Sequence, residues 1–172
     1  ATEMTFADAI CRALREEMGK DPTIFTYGED IAKQGGIFGQ YKGLLGSFHD
    51  RVIDTPISEE VIYGSAVGAA LAGCRPVVEF HFADFLFTGM GAIVNQIMKI
   101  RYMSGGQGGL PIVLRGPDGR ARGAAAHHCQ SVETLFMHLP GIKVAVPTTP
   151  YDAKGLLHAA IEDENPVLFV EH

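Results

Sequence analysis

The chain of 172 residues carries no surplus of basic charge: 14 Lys and Arg stand against 20 Asp and Glu, a formal net charge of −6. The bases are scattered, which excludes the clustered basic stripe that proteins use to neutralise nucleic-acid phosphates. Cysteine is scarce. Cys11, Cys74 and Cys129 are too few and too far apart for a disulfide framework, and they point to a reducing compartment. No apolar run approaches the roughly 18–20 residues that span a bilayer, and Ala1-Thr2-Glu3-Met4 lacks the basic-then-apolar order of a signal peptide. Phosphate-binding motifs are missing too. The glycine-rich stretch 104–109 precedes a predicted strand instead of opening a helix, and it has neither dinucleotide spacing nor the Lys-Ser/Thr of a P-loop, so it reads as a turn. The 21 glycines follow no fixed period and 47% of residues are hydrophobic, which excludes collagen-like repetition and intrinsic disorder. What is left is a soluble, intracellular chain forming one domain over 1–172, long enough to bury roughly 70% of its unfolded surface.

Phe6, Ile10, Ala13, Leu14 and Met18 recur at helical spacing, with Thr5 placed as cap and Gly19 and Pro22 as terminators. Strands are predicted over 24–27, 51–54, 76–80, 111–115, 143–146 and 166–170, each short and apolar. Helices are predicted over 58–71, about 84–102, about 131–138 and 151–162. Two glycine-rich loops occupy 34–46 and 116–123. Alternation of strand and helix, with strands that are continuous apolar runs, predicts an α/β fold: a mostly parallel sheet with helices on both faces. In such sheets ligands bind outside the carboxyl ends of the strands, which directs attention to the segments after Ile53, Phe80, Arg115 and Val146.

Glu59 and Glu60 stand at the predicted start of a helix that contains Gly64, Ser65, Ala66, Gly68, Ala69 and Ala70. Acids in a first turn complement the helix dipole. A carboxyl in a cleft beside so many small residues can instead exchange a proton with a ligand. His127-His128-Cys129 has no second ligand pair at zinc spacing, and a histidine facing a substrate suits it better. Cys129 reads as a small apolar filler. His81 reads as a pocket wall. Phe80, Phe82, Phe85 and Phe87 read mostly as core, with Phe85 the ring best placed to face the cleft.

Seven segments together resemble one family: Asp54-Thr-Pro-Ile-Ser-Glu59, Val67-Gly-Ala-Ala-Leu-Ala-Gly73, Arg101-Tyr-Met-Ser-Gly-Gly-Gln107, Pro111-Ile-Val-Leu-Arg-Gly-Pro117, Pro140-Gly-Ile-Lys-Val-Ala-Val-Pro147, Asp152-Ala-Lys-Gly-Leu-Leu157 and Asn165-Pro-Val-Leu-Phe-Val-Glu171. In order and without large gaps, they are similar to the transketolase-like pyrimidine-binding domain of thiamine-diphosphate enzymes. The nearest types are the β subunits of pyruvate and acetoin dehydrogenases, within the 2-oxo acid dehydrogenases, with the substrate left open among pyruvate, acetoin and a branched 2-oxo acid. The resemblance implies the thiamine-diphosphate-binding fold and an activating glutamate at Glu59, whose carboxyl bonds N1′ of the aminopyrimidine. It implies that Phe85 packs on that ring with Ile57 and His81 nearby, and that His128 stands at the active-site mouth. Here the histidine segment reads His127-His128-Cys129-Gln130, which departs from the family's common Gln-His-Ser-Gln at two positions. A potassium site on backbone carbonyls would fall on Ile112, Ala160, Ile161, Asp163 and Asn165.

The same resemblance implies that the cofactor's diphosphate and Mg²⁺ are held by an α subunit in an α2β2 heterotetramer, since no Gly-Asp-Gly…Asn motif is present. A lipoyl-bearing acyltransferase would accept the acyl group, in the cytoplasm or the mitochondrial matrix. The chain is then expected to be an N-terminal domain, a fragment or a split-gene product, inactive by itself. A transketolase-like or deoxyxylulose-phosphate-synthase-like ketol or acyl transfer domain, and a non-catalytic assembly domain, are the alternatives.

Overall fold

The computed structural model describes residues 3–120 and 123–172; positions 121–122 of the second glycine-rich loop, and the first two residues, lie outside it. Six strands form one sheet: β1 (Ile24–Gly28), β2 (Val52–Asp54), β3 (Arg75–Glu79), β4 (Val113–Pro117), β5 (Lys143–Ala145) and β6 (Val167–Glu171). Every pairing is parallel, in the order β2-β1-β3-β4-β6-β5. The central strands β4 and β6 are buried along their whole length, whereas the edge strand β5 is half exposed. That gradient explains why the central strands read as unbroken apolar runs.

Side-chain alternation splits the core in two. Val77, Val113, Val167 and Phe169 face one layer, made by α1 (Phe6–Lys20) and α6 (Pro150–Glu162). Val78, Leu114, Leu168 and Val170 face the other, where α3 (Glu59–Leu71) packs with the segment that follows β3. Helices thus cover both faces, as the alternation of elements predicts. Between β1 and β2 the glycine-rich loop ends in one short turn, α2 (Leu44–Ser47). A further short helix, α5 (Glu133–His138), precedes β5. Among the described residues no helix is long and apolar enough to cross a membrane.

The helix starts follow local chemistry. Thr5 Oγ1 accepts the Asp8 N–H at 3.1 Å while the Asp8 carboxylate accepts back from the Thr5 main chain, a capping box for α1. Thr149 caps α6 through its side chain, which accepts the Asp152 N–H at 3.1 Å, with Pro150 in the first turn. Ser58 stands at the start of α3, yet its side chain makes no cap hydrogen bond there.

Two expectations need correction. The predicted helix over 84–102 is three pieces: a 3₁₀ stretch Ala83–Gly89, a π-helical stretch Gly91–Ile97, and one α turn, α4 (Ile100–Met103). Gly89 is the physical reason, because any Cβ there would collide with the Tyr63 ring of α3. The segment closes on α3 at that glycine and changes pitch on either side, so that Met98 N–H bonds Ile93 O, five residues back. The second glycine-rich loop also begins later than predicted, because Gly116 and Pro117 pair with Val170 and Glu171 as the end of β4. A Cβ at Gly116 would lie 2.6 Å from the Phe80 ring, so glycine permits that extension.

At the carboxyl edge, on the α1/α6 face, the sheet buries a charged trio. Arg115 is fully buried and forks onto Glu171, with Nε–H donating to Oε1 at 2.5 Å, while its Nη1 donates to Glu79. Tyr41 OH and Gln40 Nε2 donate to the Glu79 carboxylate at 3.1 and 3.2 Å, and the guanidinium lies 5.0 Å from the Tyr41 ring centroid. Burial pushes Glu79 up to about 7; the Arg115 charge pulls it down, and Glu171 pushes it up.

Removing one member of such a trio leaves buried charge uncompensated. Arg115→Met is expected to cost about 3–5 kcal/mol in urea unfolding, and R115M combined with E79Q and E171Q to cost less, since no unpaired charge is left. A triple variant as unstable as the single one would show that shape, not charge, sets the loss. A second test concerns the α1–α6 contact, where Glu16 receives Lys154 at 2.8 Å and His158 Nε2 at 3.0 Å. Lys154 foremost, and then Arg12, hold the Glu16 carboxyl at about 2 against an ordinary 4.5. The folded state therefore keeps this proton off, and the stabilisation is complete above pH 4.5 and lost as pH falls toward 2. Glu16→Gln should flatten that acid limb of Tm against pH, and an unchanged limb would remove the assignment.

Candidate functional site

Four chain segments leave the carboxyl ends of β1 to β4 and meet on the α3 side. Gly28 closes β1; a Cβ there would stand 2.6 Å from Glu79 Cβ, so only glycine lets β1 and β3 approach so closely at this point. Glu29 follows and is buried. Burial pushes its carboxyl up, with the negative charges of Glu59 and then Asp30 adding to the effect. After β2, Thr55 N–H bonds Gly28 O at 2.9 Å, which ties the connection Pro56-Ile57-Ser58 to β1 and fixes where α3 begins. Glu59 is the first residue of α3 and is half-buried, while Glu60 beside it is exposed.

Two tyrosines hold α3 in place. Tyr27 OH donates to Ile62 O at 2.8 Å, and the buried Tyr63 donates to Phe85 O at 3.3 Å. Burial, followed by the charge of Glu59, pushes the Tyr63 hydroxyl up, so it stays a protonated donor at neutral pH.

The residues after β3 and β4 form a cluster of rings. His81 has φ +64°, a left-handed conformation uncommon for a residue with a side chain. Its ring lies nearly parallel to Phe85 at 6.2 Å, and His128 stands edge-on to both Phe82 (4.8 Å) and Phe85 (5.4 Å). Burial pushes His81 down, against the pull of Asp30 and a hydrogen bond to the Glu29 main chain, which favours the neutral imidazole at pH 7. The loop bearing His128 is tied down by Gln130, whose Nε2 donates to Asp84 Oδ1 at 2.7 Å. Asp84 lies in the same 3₁₀ stretch as Phe85, so one hydrogen bond couples the two ring-bearing segments.

The structure therefore brings His81, Phe85 and His128 together and leaves Glu59 near enough for its charge to act on His81, while Ile57, two residues before Glu59, is 79% exposed. An acid and two imidazoles beside stacked aromatic rings can grip a flat heterocycle and exchange protons with it. Glu59 and Phe85 supply the acid and the ring face that an aminopyrimidine needs, so the residues fit that half of thiamine diphosphate. Sequence reasoning missed Glu29, Tyr63 and the Asp84–Gln130 tie. The strand-end rule applied to β1 would have found Glu29; the other two depend on the broken helix.

The carbonyls considered for potassium lie elsewhere, at the other end of the sheet. Ile161 O accepts Arg75 Nε and Nη2 at 3.1 and 2.9 Å, and Asp163 O accepts Nη2 at 3.0 Å. Ile112 O accepts Val167 N–H at 2.9 Å. Ala160 and Asn165 flank this patch, the Asn165 N–H bonding the Asp163 carboxylate at 2.9 Å. Two of the five carbonyls thus converge on the Arg75 guanidinium, which takes both as acceptors.

The chain is similar to known proteins over its whole length. The chain is 47% identical over 170 residues to the 2-oxoisovalerate dehydrogenase subunit beta of Bacillus subtilis (strain 168), covering 98% of this chain and 52% of that protein. It is 43% identical to the acetoin:2,6-dichlorophenolindophenol oxidoreductase subunit beta of Cupriavidus necator, covering 100% of this chain and 54% of that one. It is 47% identical to a mitochondrial pyruvate dehydrogenase E1 component subunit beta-2 of Oryza sativa subsp. japonica, covering 100% and 46%. The chain thus spans about half the length of these relatives. A solved structure described as a split gene transketolase, inactive beta4 tetramer, superposes with TM-score 0.75 at 24% identity over 98% of this chain and 50% of that chain, a likeness of fold. Residues 2–172 match the family model of the transketolase pyrimidine-binding domain, and the chain belongs to that family.

Proposed function

We propose that this chain is the pyrimidine-binding half of a thiamine-diphosphate-dependent dehydrogenase component acting on a 2-oxo acid or acetoin. The observation that carries the reading is the placement of Glu59 in the first turn of α3, near enough for its charge to act on His81, whose ring stacks on Phe85 while His128 stands edge-on to Phe85. The relatives named as dehydrogenase or oxidoreductase β subunits support a dehydrogenase over a ketol-transferring enzyme.

In this reading Glu59 bonds N1′ of the aminopyrimidine and holds or releases the proton there. Phe85 offers its face to the ring, Ile57 covers its edge, and His81 braces Phe85 from behind. His128 stands where it can exchange a proton with the substrate. When bound, the cofactor supplies the carbon nucleophile and the electron sink for cleavage beside the substrate carbonyl. The diphosphate and Mg²⁺ belong to an α-type partner in an α2β2 assembly, and the acyl group passes to a lipoyl-bearing acyltransferase, in a bacterial cytoplasm or a mitochondrial matrix. The exposed Ile57, Val61 and Leu71 on and beside α3 support the subunit contact, because a helix with apolar residues all round is covered by another chain. Potassium on the carbonyls of Ile112, Ala160, Ile161, Asp163 and Asn165 belongs to the same reading as a structural cation.

With an α-type partner and thiamine diphosphate, Glu59→Gln is expected to lower 2-oxo acid turnover by about 10²–10⁴-fold, the range of a lost general acid–base. Undiminished turnover would remove Glu59 from the mechanism. For potassium, Tm should be higher in KCl than in NaCl at equal ionic strength. Equal Tm in the two salts would take potassium out of the assignment.

A further inference from the structure

The segment that carries His128 has little burial to hold it. Residues 123–127 are exposed, and Ala125 sits at φ +60°, in a left-handed turn closed by the His128 N–H bonding Ala125 O at 3.3 Å. Gln130 fixes the far end twice. Its carbonyl accepts the Gly119 N–H at 3.1 Å, just after β4, and its Nε2 donates to Asp84 Oδ1 at 2.7 Å. Asp84 is 7% exposed, and its other oxygen, Oδ2, has no hydrogen-bond partner among the described residues. A buried carboxyl with so little compensation holds firmly to the donor it has, because losing it would leave the whole group unsatisfied. Asp84 also stands in sequence between the two rings that His128 meets. The Phe85 N–H bonds Phe82 O at 2.9 Å, so those rings are one 3₁₀ turn apart and lie on the same side of the stretch. The His128 segment therefore meets one short turn at two points, His128 on the rings and Gln130 on the acid.

We propose that Gln130 is the positioning residue that sets His128 for proton exchange with the substrate, with Asp84 as its anchor. This rests on the reading of the site as that of a 2-oxo acid or acetoin dehydrogenase. Without the amide donor, the edge contacts orient the His128 ring but leave its main chain free to shift. A displacement of about 1 Å at a proton-transferring group is felt in the transition state far more than in the ground state. Loss of the tie therefore lowers kcat and leaves KM nearly as it was. Gln130 is itself exposed, so substitutions there leave the core intact.

Gln130→Met keeps the length and deletes the donor. Gln130→Glu sets carboxyl against carboxyl, and Asp84→Asn combined with Q130E restores the bond in the opposite sense, the new amide donating to the new carboxylate. In the full subunit assembled with its partner and thiamine diphosphate, Q130M and Q130E are expected to lower kcat for the 2-oxo acid about ten-fold with KM within about two-fold. The D84N/Q130E pair should return to within about two-fold of the original kcat. His128→Gln should cost about 10²-fold, and Q130M added to it nothing further, because a residue that acts through His128 then has nothing left to position. Diethyl pyrocarbonate acylation, read by peptide mass spectrometry on the same assembly, should run about three-fold faster at His128 in Q130M, with the exposed His127 unchanged as internal control. Unchanged His128 labelling in Q130M and Q130E overturns the positioning role. Faster labelling with kcat unchanged, H128Q as active as the original, or a further loss from Q130M in the H128Q background overturns the route through His128. A Q130E loss that D84N fails to regain overturns Asp84 as the anchor. Labelling needs no turnover, so it judges Gln130 even if Glu59→Gln leaves activity intact and the dehydrogenase reading fails.

Discussion

A guanidinium with no access to water is an expensive thing to build, and the Arg115 trio is the constraint around which this domain is arranged. Desolvating each ion costs several kcal/mol, and only excellent geometry offsets it. That geometry requires all three on one face, with Glu79 level with Arg115 and Glu171 one same-face step further along, which ties the parallel register of β3, β4 and β6. Two carboxylates face one guanidinium, so the trio favours holding a proton, in keeping with the upward push on Glu79. Tyr41 and Gln40 seal it from the loop side.

The trio and the candidate site sit on opposite faces of the same strand ends, separated by a single residue step. Glu79 points to the α1/α6 layer while Phe80 points to the α3 layer; Arg115 and Gly116 divide in the same way. Each strand therefore leaves a rigid ionic knot on one side and starts a functional loop on the other. His81 begins one residue after Phe80, and the segment to His128 begins after Pro117, so both ring-bearing loops start from anchored positions. The left-handed His81 is tolerable because the backbone before it is held by the trio and the ring is held by Phe85.

Much of this was legible in the sequence, and the reasons are physical. Apolar runs at 77–78, 112–114 and 167–170 can only be strands covered on both faces, so the parallel sheet follows from composition and order. Thr5 and Thr149 announce their helices because capping is a local interaction. The place of Glu59 in the first turn of α3 was legible because a strand end and a helix-start signal precede it. The segment 84–102 was not, since its helical periodicity is real while the break is imposed by Tyr63 from another element. The trio was also hidden: Glu79, Arg115 and Glu171 are 36 and 56 residues apart, and only strand order makes them neighbours. Gln40 lies in a loop without periodicity, where nothing local distinguishes a buried amide from a solvated one.

The exposure of the site carries a last consequence. Proton exchange between a carboxyl and a bound heterocycle proceeds best where water is excluded. Here Glu59 is only half-buried, Ile57 is largely exposed, and the helix that carries Glu59 offers apolar residues to solvent along with it. The charge of Glu59 acts on the buried Glu29 and Tyr63, and the rings of Phe82, Phe85 and His128 pack against one another nearby in the fold. The remaining side is open and apolar, with Ile57 and Val61 at its border. In the proposed reading, a surface of that character beside α3 is what a second polypeptide would cover in completing the site. The same contact would then both stabilise the assembly and dry the carboxyl, so association and activation would be one physical event.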